Sequence, residues 1–126
     1  MILFLDSDPN KAAIIYRRMT EQQRSNTIWC STVKETILTL KDYKHRLKII
    51  SLEHDLSDEL YMNTKREDCG MEVIRFFERL SKDEKEFQSY KEIKFIIHTW
   101  NSHAGPRMEE RLKKIGLNVI LKPFGT

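Results

Sequence analysis

Four short, mainly apolar runs along the chain each stop at polar residues with useful chemistry. Met1–Leu5 runs into Asp6 and Asp8, Leu47–Leu52 into Glu53, His54 and Asp55, Phe95–Ile97 into His98, and Leu117–Leu121 into Lys122 and Pro123. Runs of this length, bounded by polar and turn residues, read as buried strands, the third of them extending over Ile93–His98. A shorter run, Thr27–Cys30, reads as one more strand after the first.

Between the strands, apolar positions recur at a helical period. Asp8-Pro9-Asn10 is a helix-start signal, and Ala12, Ile14, Ile15 and Met19 carry that helix through about Arg24. Ser31-Thr32 caps a second helix, with Glu35 placed as in a capping box and Val33, Ile37, Leu38 and Leu40 as the apolar stripe. Gly70 opens a third, whose core face is Met71, Val73, Ile74, Phe77 and Leu80; the polar Ser81–Lys91 reads either as its extension or as a linker. Pro106 suits the first position of a fourth helix, with Met108, Leu112 and Ile115 facing inward and Gly116 as its stop. Leu56–Asp68 has no sustained period and carries six charges, which predicts a long mobile loop at the edge of the sheet.

Strands alternating with helices predict an α/β fold, a doubly wound five-stranded parallel sheet of flavodoxin-like order 2-1-3-4-5. Residues 1–126 fit one domain of ordinary size. The last helix of such a fold is missing, which leaves the last strand as an open edge through which two copies could pair as a homodimer.

Composition narrows the setting. With 40% apolar and 33% charged residues and no apolar run of spanning length, the chain predicts a soluble protein with no membrane role. The start MILFLDSD lacks a basic segment and is interrupted by Asp6, so it reads as a strand and not a signal peptide. Cys30 and Cys69 stand alone, as reduced structural thiols do, and together these features predict a cytoplasmic protein. The formal net charge is +3, but cations alternate with acids in stretches such as 82–92 and 107–114. That is the pattern of solvated helix faces, not of a groove for duplex nucleic acid.

In an open parallel sheet the carboxyl ends of the strands share one edge, and ligands bind outside it. Asp6 and Glu53, together with Asp8 or Asp55, offer the oxygen ligands that a hard divalent cation such as Mg²⁺ or Mn²⁺ takes; Asp6 or Asp8 can equally cap the following helix. His54 and His98 suit proton transfer near neutral pH or metal binding, whereas His45 and His103 fall in charged or loop positions and read as solvated. Lys122 is a point charge for a phosphoryl oxygen. Thr99 and Asn101 can hydrogen-bond a phosphate, the backbone N–H groups near Pro106 can receive an anion, and Trp100 can stack a base or anchor its loop. A P-loop, a zinc-type Cys/His spacing and a nucleophile elbow are all absent from the sequence.

Acids after the first strand, an acid after the third, Thr99 after the fourth and Lys122-Pro123-Phe124 after the fifth resemble a response-regulator receiver domain over nearly the whole chain. Glu53 stands where ordinary receivers carry the phosphoaccepting aspartate. Asp6 and Asp8, Glu53-His54-Asp55-Leu56 and His98-Thr99-Trp100-Asn101 are more closely similar to the cyclic-phosphate processing receiver domains. The chain departs from that pattern in three ways: Ser7 splits the acid pair, Glu53 replaces the shorter aspartate, and the 57–68 loop is long.

The resemblance implies a small phosphorylated or cyclic-nucleotide ligand. With the site residues it yields the leading expectation of a metal-assisted phosphoesterase for a cyclic phosphate or nucleotide-derived substrate. Asp6, Asp8, Glu53 and Asp55 would hold the cation, His54, His98 and Lys122 would carry the catalysis, and Thr99, Trp100 and Asn101 would bind substrate. The alternative is a non-catalytic receiver-like module that binds or sequesters a phosphorylated ligand or a protein partner.

Overall fold

A computed structural model describes residues 1–126. Its strands are β1 (Ile2–Leu5), β2 (Thr27–Cys30), β3 (Ile49–Leu52), β4 (Lys94–Ile97) and β5 (Asn118–Leu121). The helices are α1 (Pro9–Arg18), α2 (Glu21–Ser25), α3 (Val33–Tyr43), α4 (Met71–Leu80), α5 (Glu84–Phe87) and α6 (Ala104–Lys114), with a 3₁₀ turn at Gln88–Tyr90. All five strands are parallel in the order β2-β1-β3-β4-β5, the predicted receiver-like topology. No helix is long and apolar enough to cross a membrane.

The two faces of the sheet are unequal. Side chains alternate across a strand, and one set, Leu3, Leu5, Ile50, Leu52, Phe95, Ile97 and Val119, is buried under α3, α4 and α6. The opposite set, Ile2, Phe4, Ile49, Ser51 and Ile96, is bordered by Ile15 of α1, by Met19 just beyond that helix and by residues 122–126. A groove of about 300 Å³ runs over that face.

Several local expectations change for identifiable reasons. The first helix stops at Arg18, because Thr20 and Gln23 form a capping box that starts α2 and leaves Met19 extended. Leu38 lies outside the inward row of Val33, Thr36, Ile37 and Leu40 and stays 57% exposed. The Ser81–Lys91 stretch folds into α5 and the 3₁₀ turn, which anchor through buried Phe87 and Tyr90. Helix α6 opens at Ala104, two residues before Pro106, because Asn101 Oδ1 accepts hydrogen bonds from the N–H groups of His103 and Ala104. The 56–68 loop is folded upon itself: Leu56 and Met62 are buried, and Arg66 pairs with Glu59 and Asp68.

Candidate functional site

Strand register assembles the centre of the site. Leu5 is paired with Leu52, and Leu52 with Ile97, so the next residues, Asp6, Glu53 and His98, fall in one row at the carboxyl edge. The ladder continues into that row, with Glu53 N–H donating to Leu5 O and His98 N–H to Leu52 O. All three side chains are buried. One donor atom from each lies within 4.8 Å of the others, a group that could hold a metal ion.

His98 is fixed from three directions. Its Nε2 lies 2.9 Å from Asp6 Oδ2, its Nδ1 lies 2.7 Å from Ser51 Oγ, and Phe4 stacks on the ring at a centroid distance of 4.8 Å. Ser51 and Phe4 each precede a row residue by two, so alternation puts them on the same face. The Ser51 hydroxyl can donate or accept, so it supports either tautomer of the imidazole. Asp6 is held by the Asp8 N–H at Oδ1 (2.9 Å), while the Trp29 indole N–H donates to its carbonyl (2.7 Å).

The lysine at the acids is Lys11, one turn into α1. Its Nζ is 3.0 Å from Glu53 Oε2 and 3.5 Å from Asp6 Oδ2. Burial alone would lower the ammonium's pKa, but Glu53 and then Asp6 outweigh it and hold the group above its ordinary value. Lys122 follows His98 in the row by register, yet it is exposed, pairs with neither carboxylate and lines the open groove beside His98, Ser51 and Phe4. Sequence reading passed over Lys11 and Ser51. The available signals were a long cation one turn after the acids and a lone hydroxyl within the apolar run of β3.

Glu53 and His54 are consecutive, so they diverge. Glu53 Oε1 accepts from the N–H groups of His54 (2.9 Å) and Asp55 (3.3 Å). The His54 ring is wholly buried and absent from the acid pocket. Its Nδ1 lies 2.8 Å from Asp55 Oδ1, while its Nε2 has no hydrogen-bond partner; the Cys69 thiol donates to Arg66 O (3.2 Å). Burial would lower the pKa of His54, but Cys69 and Asp55 outweigh it and the net direction is upward. Gly70 N–H donates to His54 O (2.9 Å), and a Cβ on Gly70 would stand 2.1 Å from Glu53 O. Only glycine lets α4 approach the site strand this closely.

Asp55 organises the loop. It accepts from Asn101 Nδ2 (3.1 Å) and from the N–H groups of Tyr61 (2.9 Å) and Met62 (3.0 Å). Burial would raise its pKa, but His54, Asn101 and these N–H groups outweigh it and hold it below the usual carboxylate range. Asp8 caps α1 through the Asn10 N–H at 2.8 Å while also bordering the pocket. Thr99 Oγ1 accepts from the Asn101 N–H, and the N–H groups of residues 103, 104 and 105 are all taken by Asn101. These three N–H groups at the α6 opening are therefore engaged within the chain and not open to an anion. Trp100 is 59% exposed, its indole N–H donating to Phe124 O at 3.1 Å.

Above the buried row lies a pocket of about 330 Å³. Six acids border it (Asp6, Asp8, Glu53, Asp55, Asp58 and Glu59) against the single cation Lys11, with Thr99, Trp100 and Asn101 on the far wall. An anion entering alone meets a strongly negative lining; a bound divalent cation would offset part of it and place positive charge where a phosphoryl oxygen could reach it.

The sheet order, the row of acids at its carboxyl edge and the histidine beside them define a receiver-type domain. A sequence profile of the cyclic-phosphate processing receiver domain matches residues 1–114, and the chain belongs to that family. Membership implies a phosphate-containing ligand. No curated protein matches the chain. Among solved structures, the signal receiver domain of a protein described as a Luxo repressor from Vibrio parahaemolyticus shares the fold. Its TM-score is 0.60 at 15% identity, with 99% of this chain and 78% of that one covered.

Proposed function

We propose that this domain is a metal-dependent phosphoesterase that opens cyclic phosphates. The observation that carries the reading is the buried Asp6–Glu53–His98 donor group beneath a pocket with six acids and one lysine. The donors fit a cation: two carboxylates with one imidazole suit Mn²⁺ better than Mg²⁺, whose preference is for oxygen alone. A divalent ion bound there would supply the positive charge that a phosphoryl group needs and lower the pKa of a bound water.

The chain's own residues have separable tasks. Asp6, Glu53 and His98 hold the cation, and Ser51, 2.7 Å from His98 Nδ1, keeps Nε2 directed at the site. Lys11 is the residue we assign to a phosphoryl oxygen, in place of Lys122, because it borders the acid pocket. Asp55, His54 and Asn101 act through position: they tie the loop, the strand end and the start of α6 together. Hydrolysis adds water oxygen to phosphorus, breaks one ester P–O bond and returns a proton to the leaving alkoxide.

Sequestration without turnover is the second reading, favoured by the burial of His54 and by the engagement of both His98 nitrogens. Phosphorus NMR of a panel of cyclic phosphates with Mn²⁺ and then EDTA separates them. The expected result is conversion of the cyclic diester to a monoester with Mn²⁺ only. Tight binding with the ligand returned unchanged selects sequestration, and neither binding nor conversion refutes both.

A further inference from the structure

Six large apolar side chains are exposed on this protein, and three of them, Leu60, Tyr61 and Trp100, border the one acidic pocket. They are exposed by 84%, 64% and 59%. Apolar surface grouped at the mouth of a strongly polar cavity has no role in the core and marks a contact surface for a ligand. The two aromatic residues are also held in place. The Trp100 indole is tied to Phe124 O at 3.1 Å, and the Tyr61 N–H to Asp55 Oδ2 at 2.9 Å. Tyr61 has a φ of 52°, a left-handed conformation that aromatic residues rarely adopt, and the chain accepts it with the ring left in solvent.

We infer that Tyr61 and Trp100, with Leu60 beside them, form a nucleobase-binding rim, so that the cyclic phosphate taken by this site is carried on a nucleoside. The inference rests on the reading of the acid pocket as the phosphate end of the site. A base-free sugar phosphate is polar throughout and covers none of the exposed rings. A base offers a π-face to each ring, and stacking of this kind tolerates any base identity. The Trp100 indole N–H is spent on Phe124 O, so that residue offers a base its ring face and no free donor for the base edge. The pocket volume of about 330 Å³ accommodates the phosphate end of one nucleotide while the base lies outside on the rim.

The test measures binding, not turnover. The full chain with Mn²⁺ is titrated with adenosine 2′,3′-cyclic phosphate, cytidine 2′,3′-cyclic phosphate and glycerol 1,2-cyclic phosphate, by calorimetry and tryptophan fluorescence. Both nucleotides should bind about tenfold or more tighter than the glycerol compound and quench the fluorescence. Trp100→Ala and Tyr61→Ala should each lose about tenfold in nucleotide affinity at unchanged melting temperature, with affinity for the glycerol compound held. Trp100→Phe should recover most of the loss. Equal affinity for nucleotides and glycerol 1,2-cyclic phosphate overturns the rim, as does no binding of any probe, or a Trp100→Ala variant that weakens all three alike. If plain adenosine binds as tightly as its cyclic phosphate and remains sensitive to Trp100→Ala, the rim stands and the phosphoesterase reading falls.

Discussion

Replacing Lys11 with methionine isolates the electrostatics of the site, since methionine keeps the apolar stem and removes only the charge. At 3.0 Å from Glu53 and 3.5 Å from Asp6, the ammonium interacts with each carboxylate by about 5 kcal/mol at an effective dielectric constant of ~20. Desolvation and side-chain ordering offset part of that gain. The net cost of removing one partner from a buried pair is about 3–5 kcal/mol, because the other is left buried and unpaired. Glu53 is 3% exposed, but the Lys11 side chain keeps 25% of its surface in water, which puts the loss near the lower end, about 3 kcal/mol. In a chain of this size that corresponds to roughly 10 °C in Tm.

Manganese should reverse most of the loss. An ion at one hundred times its Kd adds about 2.7 kcal/mol to the native state. In Lys11→Met it binds without displacing an ammonium, so the variant should gain more from Mn²⁺ than the wild type does. Thermal unfolding in EDTA and across a Mn²⁺ series measures both effects. Equal stability of the two proteins in EDTA, or equal Mn²⁺ response, refutes the assignment of Lys11 as the cation between the carboxylates.

Three further outcomes follow from the same geometry. Gly70→Ala should destabilise by at least ~2 kcal/mol in thermal unfolding, because a Cβ at this N-cap of α4 would stand 2.1 Å from Glu53 O, and alanine is also the poorer N-cap residue. Asp55 has a depressed folded pKa, so its contribution is present above the unfolded value near pH ~4 and is lost as pH falls through the folded one. His54 has a raised pKa, so its contribution is present below pH ~6.5 and is lost as pH rises through the folded value. Urea unfolding against pH should show both limbs in wild type, and Asp55→Asn should flatten both, having removed the carboxylate and the anionic partner of His54. Asp6→Asn should weaken Mn²⁺ binding measured by calorimetry, and an unchanged affinity would remove Asp6 from the metal site and leave it as the partner of His98, Lys11 and the Asp8 N–H.

The sheet order and its functional edge were legible because a short apolar run and a polar stop at each strand end are local signals. The convergence of Asp6, Glu53 and His98 follows from register once the order is known. What lay beyond sequence reading depended on which face a residue takes after its strand ends. Glu53 and His54 are both strand-end polar groups, yet one residue of offset sends the first to the pocket and the second into the core. Lys122 shares the row but sits at its outer end, over the open groove. Lys11 was hidden because its reach to Glu53 crosses 42 positions and comes from a helix. The 56–68 loop lacks periodicity because its order derives from Asp55 and Arg66, which act one contact at a time.

The contact between His98 and Asp6 joins residues 92 positions apart. Closing so large a loop is entropically costly until the intervening strands are paired, which places such a contact among the late events of folding. The donor group is thus made from pieces that a nascent chain acquires 92 residues apart. A chain released before residue 98 contains Asp6 and Glu53 but lacks the His98 imidazole that completes the group. Metal binding at this edge is consequently a report on completed folding, and no shortened fragment ending before β4 will show it in part.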